Sequence, residues 1–137
     1  MKCLDTTFLI DVVESPEEVR AISEELERRG EVLATTTFNV YEALLGVHSI
    51  RDRSQRTKLL DLYARVFARL VVLPVSLEDA SKAAELGGEL RRRGHDVGAD
   101  SLTAAIAMRS GSDGVVTRSV AHFERLTELT GLEVVPY

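Results

Sequence analysis

Short apolar runs of strand length alternate with longer stretches of helical periodicity along the whole chain. The strand-like runs are residues 2–4, 32–34, 71–75, 115–116 and 132–135. The clearest helix is predicted over 51–70, where apolar residues recur at i, i+3, i+4, i+7, i+8 and i+11. Because parallel strands need helical crossovers, this alternation predicts an α/β fold. We expect a three-layer α/β/α sandwich around a mainly parallel sheet of four to five strands, formed by residues 1–137 as a single domain.

The remaining helices are predicted from caps and apolar spacing. Ser15 and Pro16 mark the start of a helix that Gly30 ends, and the threonines at 35–37 can cap the next one. Residues 5–7 are interpreted as a polar turn after the first strand, and 71–75 as a buried strand. Further helices are expected over 77–93, around 102–108 and over 122–129, the first with Ala80, Ala83, Ala84 and Leu90 facing inward.

Composition and charge exclude several classes of protein. No apolar run reaches the roughly 20 residues of a membrane-spanning helix. Asp5 interrupts the N-terminal segment where a signal peptide would still be apolar. The single cysteine, Cys3, excludes an internal disulfide and a cysteine-based metal site, and is typical of a cytoplasmic protein. With a net charge of −5, the chain would need a local basic patch or bound cations to hold a nucleic acid.

Three acids and one threonine stand at places where an α/β sheet can form a site. Asp5 and Thr117 each follow or end a predicted strand, and ligands of open parallel sheets bind at the carboxyl ends of the strands where the strand order reverses. Asp100 lies in the first turn of the most apolar helix, and Glu42 lies within an earlier helix. Each acid alone can equally be a cap, a strand end or a solvated side chain.

If the three acids converge, their chemistry follows from their charge. Two unit charges about 4 Å apart repel by about 4 kcal/mol at an effective dielectric of 20, so three carboxylates remain ionised together only beside a cation. Oxygen ligands select hard ions such as Mg²⁺ or Mn²⁺. These ions activate water and polarise phosphoryl oxygens, so the predicted reaction is phosphodiester hydrolysis.

The order of four motifs resembles PIN-domain nucleases, and specifically the VapC-type toxins of toxin–antitoxin pairs. The resemblance extends over nearly the whole chain. The motifs run from Leu4 to Ile10 with Asp5, from Thr36 to Glu42, from Gly98 to Ala105 with Asp100, and from Val116 to Phe123. The resemblance implies a PIN-like fold, an RNA substrate, a Mg²⁺ cofactor for which Mn²⁺ can substitute, a homodimer and an antitoxin partner.

Four further residues are expected to support the acids. Thr6 and Thr117 can steady Asp5 or bond metal-bound water, or can be ordinary strand-end residues. The family often has Asn or Asp where this chain has Ser119, which adds no charge, so the site can be weaker or bind a single ion. Asp96 can supply an extra acid or be a solvated loop carboxylate. His122 falls in the fourth motif and can lie near the site, but the three scattered histidines lack ligand spacing, so a structural or surface role is expected for each.

Two other functions remain open. A phosphatase of the haloacid-dehalogenase type also begins with a strand ending in Asp, but it needs a second acid where this chain has Thr7. A PIN-like module that binds RNA or a partner without cleaving RNA is the other possibility, which Ser119 leaves open.

Overall fold

The computed structural model describes residues 1–137, in which five strands alternate with seven helices. In chain order the elements are β1 (Lys2–Leu4), α1 (Thr6–Glu14), α2 (Pro16–Arg28), β2 (Leu33–Thr36), α3 (Thr37–His48), α4 (Arg53–Phe67), β3 (Val71–Leu73), α5 (Leu77–Arg92), α6 (Asp100–Arg109), β4 (Gly114–Thr117), α7 (Val120–Thr130) and β5 (Glu133–Pro136). The predicted α/β class with a parallel sheet is confirmed.

All five strands are parallel and lie in the order β3-β2-β1-β4-β5. The chain builds outward from β1 to β3, then crosses to the other side of β1 to add β4 and β5. The strand order therefore reverses between β1 and β4, which pair from Lys2↔Gly114 to Leu4↔Val116. Asp5 and Thr117 consequently emerge side by side at the carboxyl edge of the sheet.

The alternating side chains of the strands divide the apolar interior into two clusters. Cys3 and Val115 belong to the cluster formed with α5, α6 and α7, while Leu4 and Val116 belong to the cluster formed with α1 to α4. Successive residues of a strand point to opposite faces of a sheet, so two apolar clusters imply helices on both faces. This arrangement is the three-layer α/β/α sandwich that the sequence predicts.

Local signals explain where several helices begin and end. Thr36 and Asp52 accept backbone N–H bonds at the starts of α3 and α4, and Ser76 and Asp79 form a reciprocal capping box at the start of α5. Gly131, with φ 72°, ends α7 in the left-handed conformation that glycine adopts without strain.

Three expectations were wrong in detail. Residues 6–14 form α1, which the sequence interpretation took for a turn followed by unassigned chain. β3 is an edge strand with Val71 45% and Val72 39% exposed, so it is not buried. Ala83 and Leu90 face inward as expected, but Ala80 and Ala84 are exposed, because Asp79 and Leu86 complete the inward face of α5.

Both margins of the sheet carry a proline. Pro74 directly follows β3, and Pro136 is the last residue of β5. A proline has no backbone N–H to give to a further strand, so both positions suit sheet edges. None of the helices is long and apolar enough to cross a bilayer.

We predict that Asp79→Asn lowers the free energy of unfolding by about 1–3 kcal/mol at pH 7. The Asp79 carboxylate is 1% exposed and accepts from Arg109 Nε at 2.6 Å and Arg109 Nη2 at 2.9 Å. These bonds lower the pKa of Asp79, so its contribution is present above the ordinary pKa and is lost as pH falls through the folded value. Urea unfolding measures the change.

Asp61→Asn is the matched control, because Asp61 pairs with Arg65 on the surface of α4, where both side chains are more than half exposed. We expect a change below about 0.5 kcal/mol there. Equal effects of the two substitutions would contradict the prediction.

Candidate carboxylate site

Asp5 is buried at the end of β1 and at the start of α1, with 2% of its surface exposed. Its Oδ2 accepts from Thr117 Oγ1 at 2.8 Å and from Thr7 Oγ1 at 3.2 Å. Burial raises the pKa of Asp5, and hydrogen bonds, led by that of Thr117, partly offset this effect. The β1–β4 pairing thus supplies both the carboxylate and the hydroxyl that orients it.

Glu42 is a partly exposed residue of α3 and is held by the first residue of α1. Its Oε2 accepts from Thr6 Oγ1 at 2.6 Å. Thr6 directly follows Asp5, so this bond joins the helix that carries Glu42 to the strand end that carries Asp5.

Asp100 is the first residue of α6, and its side chain is 25% exposed. Its Oδ2 lies 2.7 Å from His122 Nδ1 on α7. Burial, opposed by His122, and the negative charges of Asp5 and Glu42 raise the pKa of Asp100 to about 6. Asp100 therefore lies close enough to Asp5 and Glu42 to respond to their charges, although the three acids are far apart in the sequence.

In the present side-chain conformations, the three acids do not form a complete set of metal ligands. No three His, Cys, Asp or Glu side chains lie close enough together to hold a metal ion in this arrangement. Glu42 is engaged by Thr6 and Asp100 by His122. The donor chemistry nevertheless fits a hard divalent cation, because all three acids offer oxygen and their mutual repulsion at Asp100 would be relieved by positive charge.

The other predicted residues differ in their placement. Thr117 is fully buried and holds Asp5, while the backbone N–H of Ser119 donates to Thr117 Oγ1 at 2.9 Å. Ser119 is also the N-cap of α7, without a side-chain capping bond. Asp96 is 64% exposed, accepts from the Gly98 N–H at 2.9 Å and pairs with Arg91, so it is not joined to the other acids by a hydrogen bond.

Two further residues, His122 and Asn39, connect parts of the site, and neither was predicted to do so from the sequence. His122 was expected to have a structural or surface role, with a place near the site as the alternative; its side chain is 44% exposed and contacts Asp100. Asn39 is completely buried and bonds the Thr103 hydroxyl at 2.9 Å. Asn39 lies in the first turn of α3, where polar side chains are common, so its position in the sequence does not distinguish it as a buried residue.

Several arginines of α4 and of the end of α5 are engaged in local ion pairs. Arg92 and Arg93 pair with Glu89, Arg91 pairs with Asp96, and Arg65 pairs with Asp61. Arg91, Arg92 and Arg93, at the C-terminal end of α5, therefore form a solvated helix end. Arg118 lies next to Thr117 and bonds the buried Asp11 at 3.1 Å.

We predict that Asp100→Asn stabilises the chelated protein at pH 7.5 by on the order of 1–2 kcal/mol. The pKa of Asp100 is raised to about 6 from an ordinary 3.8. Protonated Asp100 therefore contributes fully to folding stability below pH 3.8, and this contribution is lost as the pH rises through 6 and the side chain becomes charged. Asparagine stays neutral at both pH values and avoids this loss. The gain should therefore shrink at pH 4.5. Urea unfolding in EDTA at the two pH values measures it.

Asp96→Asn serves as the control for this substitution. The Gly98 N–H and then Arg91 lower the pKa of Asp96, so its neutralisation should not stabilise the protein. Destabilisation by Asp100→Asn at pH 7.5 would contradict the prediction, because it would show that the charge on Asp100 does not lower the free energy of unfolding.

Solved structures of similar fold come from toxin–antitoxin systems. The chain is similar to VapBC2 from Rickettsia felis bound to a promoter DNA fragment (TM-score 0.80, 21% identity, 99% of this chain and 98% of that chain). It is also similar to DNA-bound VapBC from Salmonella typhimurium (TM-score 0.80, 23% identity, 98% of this chain and 96% of that chain). A third match is VapC20 from Mycobacterium tuberculosis, a toxin that cleaves the sarcin-ricin loop (TM-score 0.60, 13% identity, 84% of this chain and 87% of that chain).

Comparison with curated protein sequences gave no match. The family model described as PIN domain matches residues 2–129, which contain all three acids and every strand except β5. This chain therefore belongs to the PIN domain family.

Proposed function

We propose that this protein is a divalent-metal-dependent endoribonuclease, the VapC-type toxin of a toxin–antitoxin pair. The observation that carries the proposal is geometric: Asp5 follows the strand at which the sheet order reverses, and the adjacent Thr6 hydroxyl holds Glu42 Oε2 at 2.6 Å. The negative charges of Asp5 and Glu42 also raise the pKa of Asp100, which supports a cation site among these three acids. PIN domains are generally nucleases, and one similar fold belongs to an RNA-cleaving toxin.

Asp5, Glu42 and Asp100 would hold Mg²⁺, or Mn²⁺ in its place. When bound, such an ion polarises a phosphoryl oxygen and makes water a stronger nucleophile, which is the chemistry of phosphodiester hydrolysis. Binding has to compete with the Thr6 hydroxyl for Glu42 and with His122 for Asp100. Ser119 brings no charge, so we propose that the charge of the site comes from these three acids.

Other side chains keep the acids in place. Thr117 and Thr7 donate to the same oxygen of Asp5, which leaves its Oδ1 without a side-chain donor. His122 fixes one oxygen of Asp100. A site whose ligands are oriented by buried or structured neighbours loses less entropy on binding, so it binds a cation more tightly.

We predict that purified protein cleaves RNA with Mg²⁺ or Mn²⁺, and that Asp5→Asn lowers the rate by at least about 100-fold. Asparagine can accept the Thr117 bond, so the substitution removes charge without removing the hydrogen-bond partner. Cleavage of fluorescently labelled single-stranded and stem-loop RNAs, with EDTA as the blank, measures the rate.

The matched control is Asp61→Asn on α4, which removes a carboxylate charge from an exposed surface pair. Its rate should stay within twofold of wild type. RNA binding without cleavage at any metal concentration would favour a non-catalytic binding module. Phosphate release from small monoesters through a trapped aspartyl-phosphate would favour the phosphatase.

We also propose an antitoxin partner, because several similar solved structures are VapBC complexes. An apolar groove of about 660 Å³ lies between α2, β2, α4 and β3, and Val32, Leu33, Val66, Leu70 and Val71 are among its lining residues. An apolar helix or extended segment of the antitoxin suits this groove.

We predict that Val32→Asp reduces capture of the protein encoded by the adjacent gene by at least tenfold when the two are co-expressed. Val32 is 54% exposed and lines the groove, so the introduced charge would be desolvated on binding. Leu77→Asp, at an 88% exposed position outside the groove, is the control and should not change capture.

Equal capture by both variants would show that the groove is not the binding site of the partner. The homodimer also remains a proposal. Sedimentation of the purified chain tests it, because a dimer would have twice the chain mass of 15.1 kDa.

A further inference from the structure

The side-chain amide of Asn39 connects four separate segments of the chain. Its Nδ2 donates to the Leu4 carbonyl at 3.1 Å and contacts Thr35 Oγ1 at 3.5 Å. Its Oδ1 accepts from Thr103 Oγ1 at 2.9 Å. Asn39 is 0% exposed, so these bonds form away from water, where an unpaired amide would be costly.

Each of the three acids lies within one turn of a group bonded to this amide. Asp5 directly follows Leu4, Asp100 lies one helical turn before Thr103 on α6, and Glu42 lies three residues after Asn39 on α3. The backbone of β1 and the helices α3 and α6 are therefore tied to a single planar group. A displacement of any one segment would stretch a bond made by Asn39.

A second connection runs through Thr6. Its hydroxyl lies 2.6 Å from Glu42 Oε2 and 3.3 Å from Asn39 Oδ1. The Thr6 hydroxyl has one proton, and it donates this proton to Glu42, because the Glu42 carboxylate is closer and can only accept hydrogen bonds. Asn39 thus gains little from Thr6 directly, and its strong bonds are those to Leu4 and Thr103.

We propose that Asn39 is a positioning residue that sets the mutual placement of Asp5, Glu42 and Asp100 for a divalent cation. The proposal rests on the proposed function, because it assumes that these acids bind the cation. A buried residue with a purely structural role would contribute to folding without changing the affinity of the site. Neighbours that orient metal ligands typically change metal affinity 10–100-fold when they are replaced.

The test is calorimetric titration of the full chain with MnCl₂ at pH 7.5, for wild type, Asn39→Leu and Thr103→Val. Leucine has the same number and branching of side-chain heavy atoms as asparagine but is larger and makes no hydrogen bonds, and valine is close in shape to threonine. We expect the dissociation constant for Mn²⁺ to rise at least tenfold in Asn39→Leu and by a smaller factor in Thr103→Val. Saturating Mn²⁺ should restore part of the RNA cleavage by Asn39→Leu.

Asp79→Asn is the matched control, because it weakens buried bonds between α5 and Arg109, which lies at the end of α6 opposite to Asp100, without changing any group bonded to Asn39. Its melting temperature should fall while its Mn²⁺ affinity stays within twofold of wild type. An unchanged Mn²⁺ affinity in a folded Asn39→Leu overturns the proposal, as does an equal loss in Asp79→Asn. If Asn39→Leu does not fold by circular dichroism, Thr103→Val decides in the same way.

Failure of the proposed function gives a different result. In that case wild type itself would bind no Mn²⁺ and cleave no RNA, and the role of Asn39 would be rejected together with the metal site. If wild type binds Mn²⁺ and the variants bind it equally well, only the positioning role is rejected.

Discussion

The pairing of β1 with β4 is the constraint on which the site depends. Parallel registration from Lys2↔Gly114 to Leu4↔Val116 brings Asp5 beside Thr117, two residues separated by 112 positions in the sequence. Their hydrogen bond is buried, so it is protected from water and fixes one oxygen of the carboxylate. The helices that follow β2 and precede β4 then bring the other two acids toward this fixed point.

Holding the acids together has a cost for the folded chain. Burial raises the pKa of both Asp5 and Asp100, and the acids act on one another at Asp100. A fold selected only for stability would replace at least one of these charges by a neutral side chain. Retention of charge that opposes folding is typical of sites whose ligand supplies the compensating charge. The ion-paired Asp79, whose pKa is lowered by Arg109, is a contrasting case in the same protein.

Much of this architecture could be predicted from the sequence because its signals are periodic. Strand runs that alternate with apolar helices predicted the parallel sheet, and the strand-end positions of Asp5 and Thr117 predicted their proximity if the two strands were neighbours. α1 was missed because its first residues, Thr6 and Thr7, resemble a polar turn, and its helical content comes from packing on α2 and α3. The exposure of Val71 could not be predicted, because composition does not distinguish an edge strand from a central one. The contacts of His122 and Asn39 depend on three-dimensional packing, which no spacing in the sequence encodes.

The two margins of the sheet have a consequence for how copies of the protein behave at high concentration. β3 is only three residues long and is followed by Pro74, and β5 ends at Pro136. A foreign strand that approached either margin would find few free backbone groups and a position that cannot donate. The exposed valines of β3 thus lie on an edge strand that is too short to pair with many further strands. At high concentration, contacts between side chains are therefore favoured over growth of fibres by strand addition.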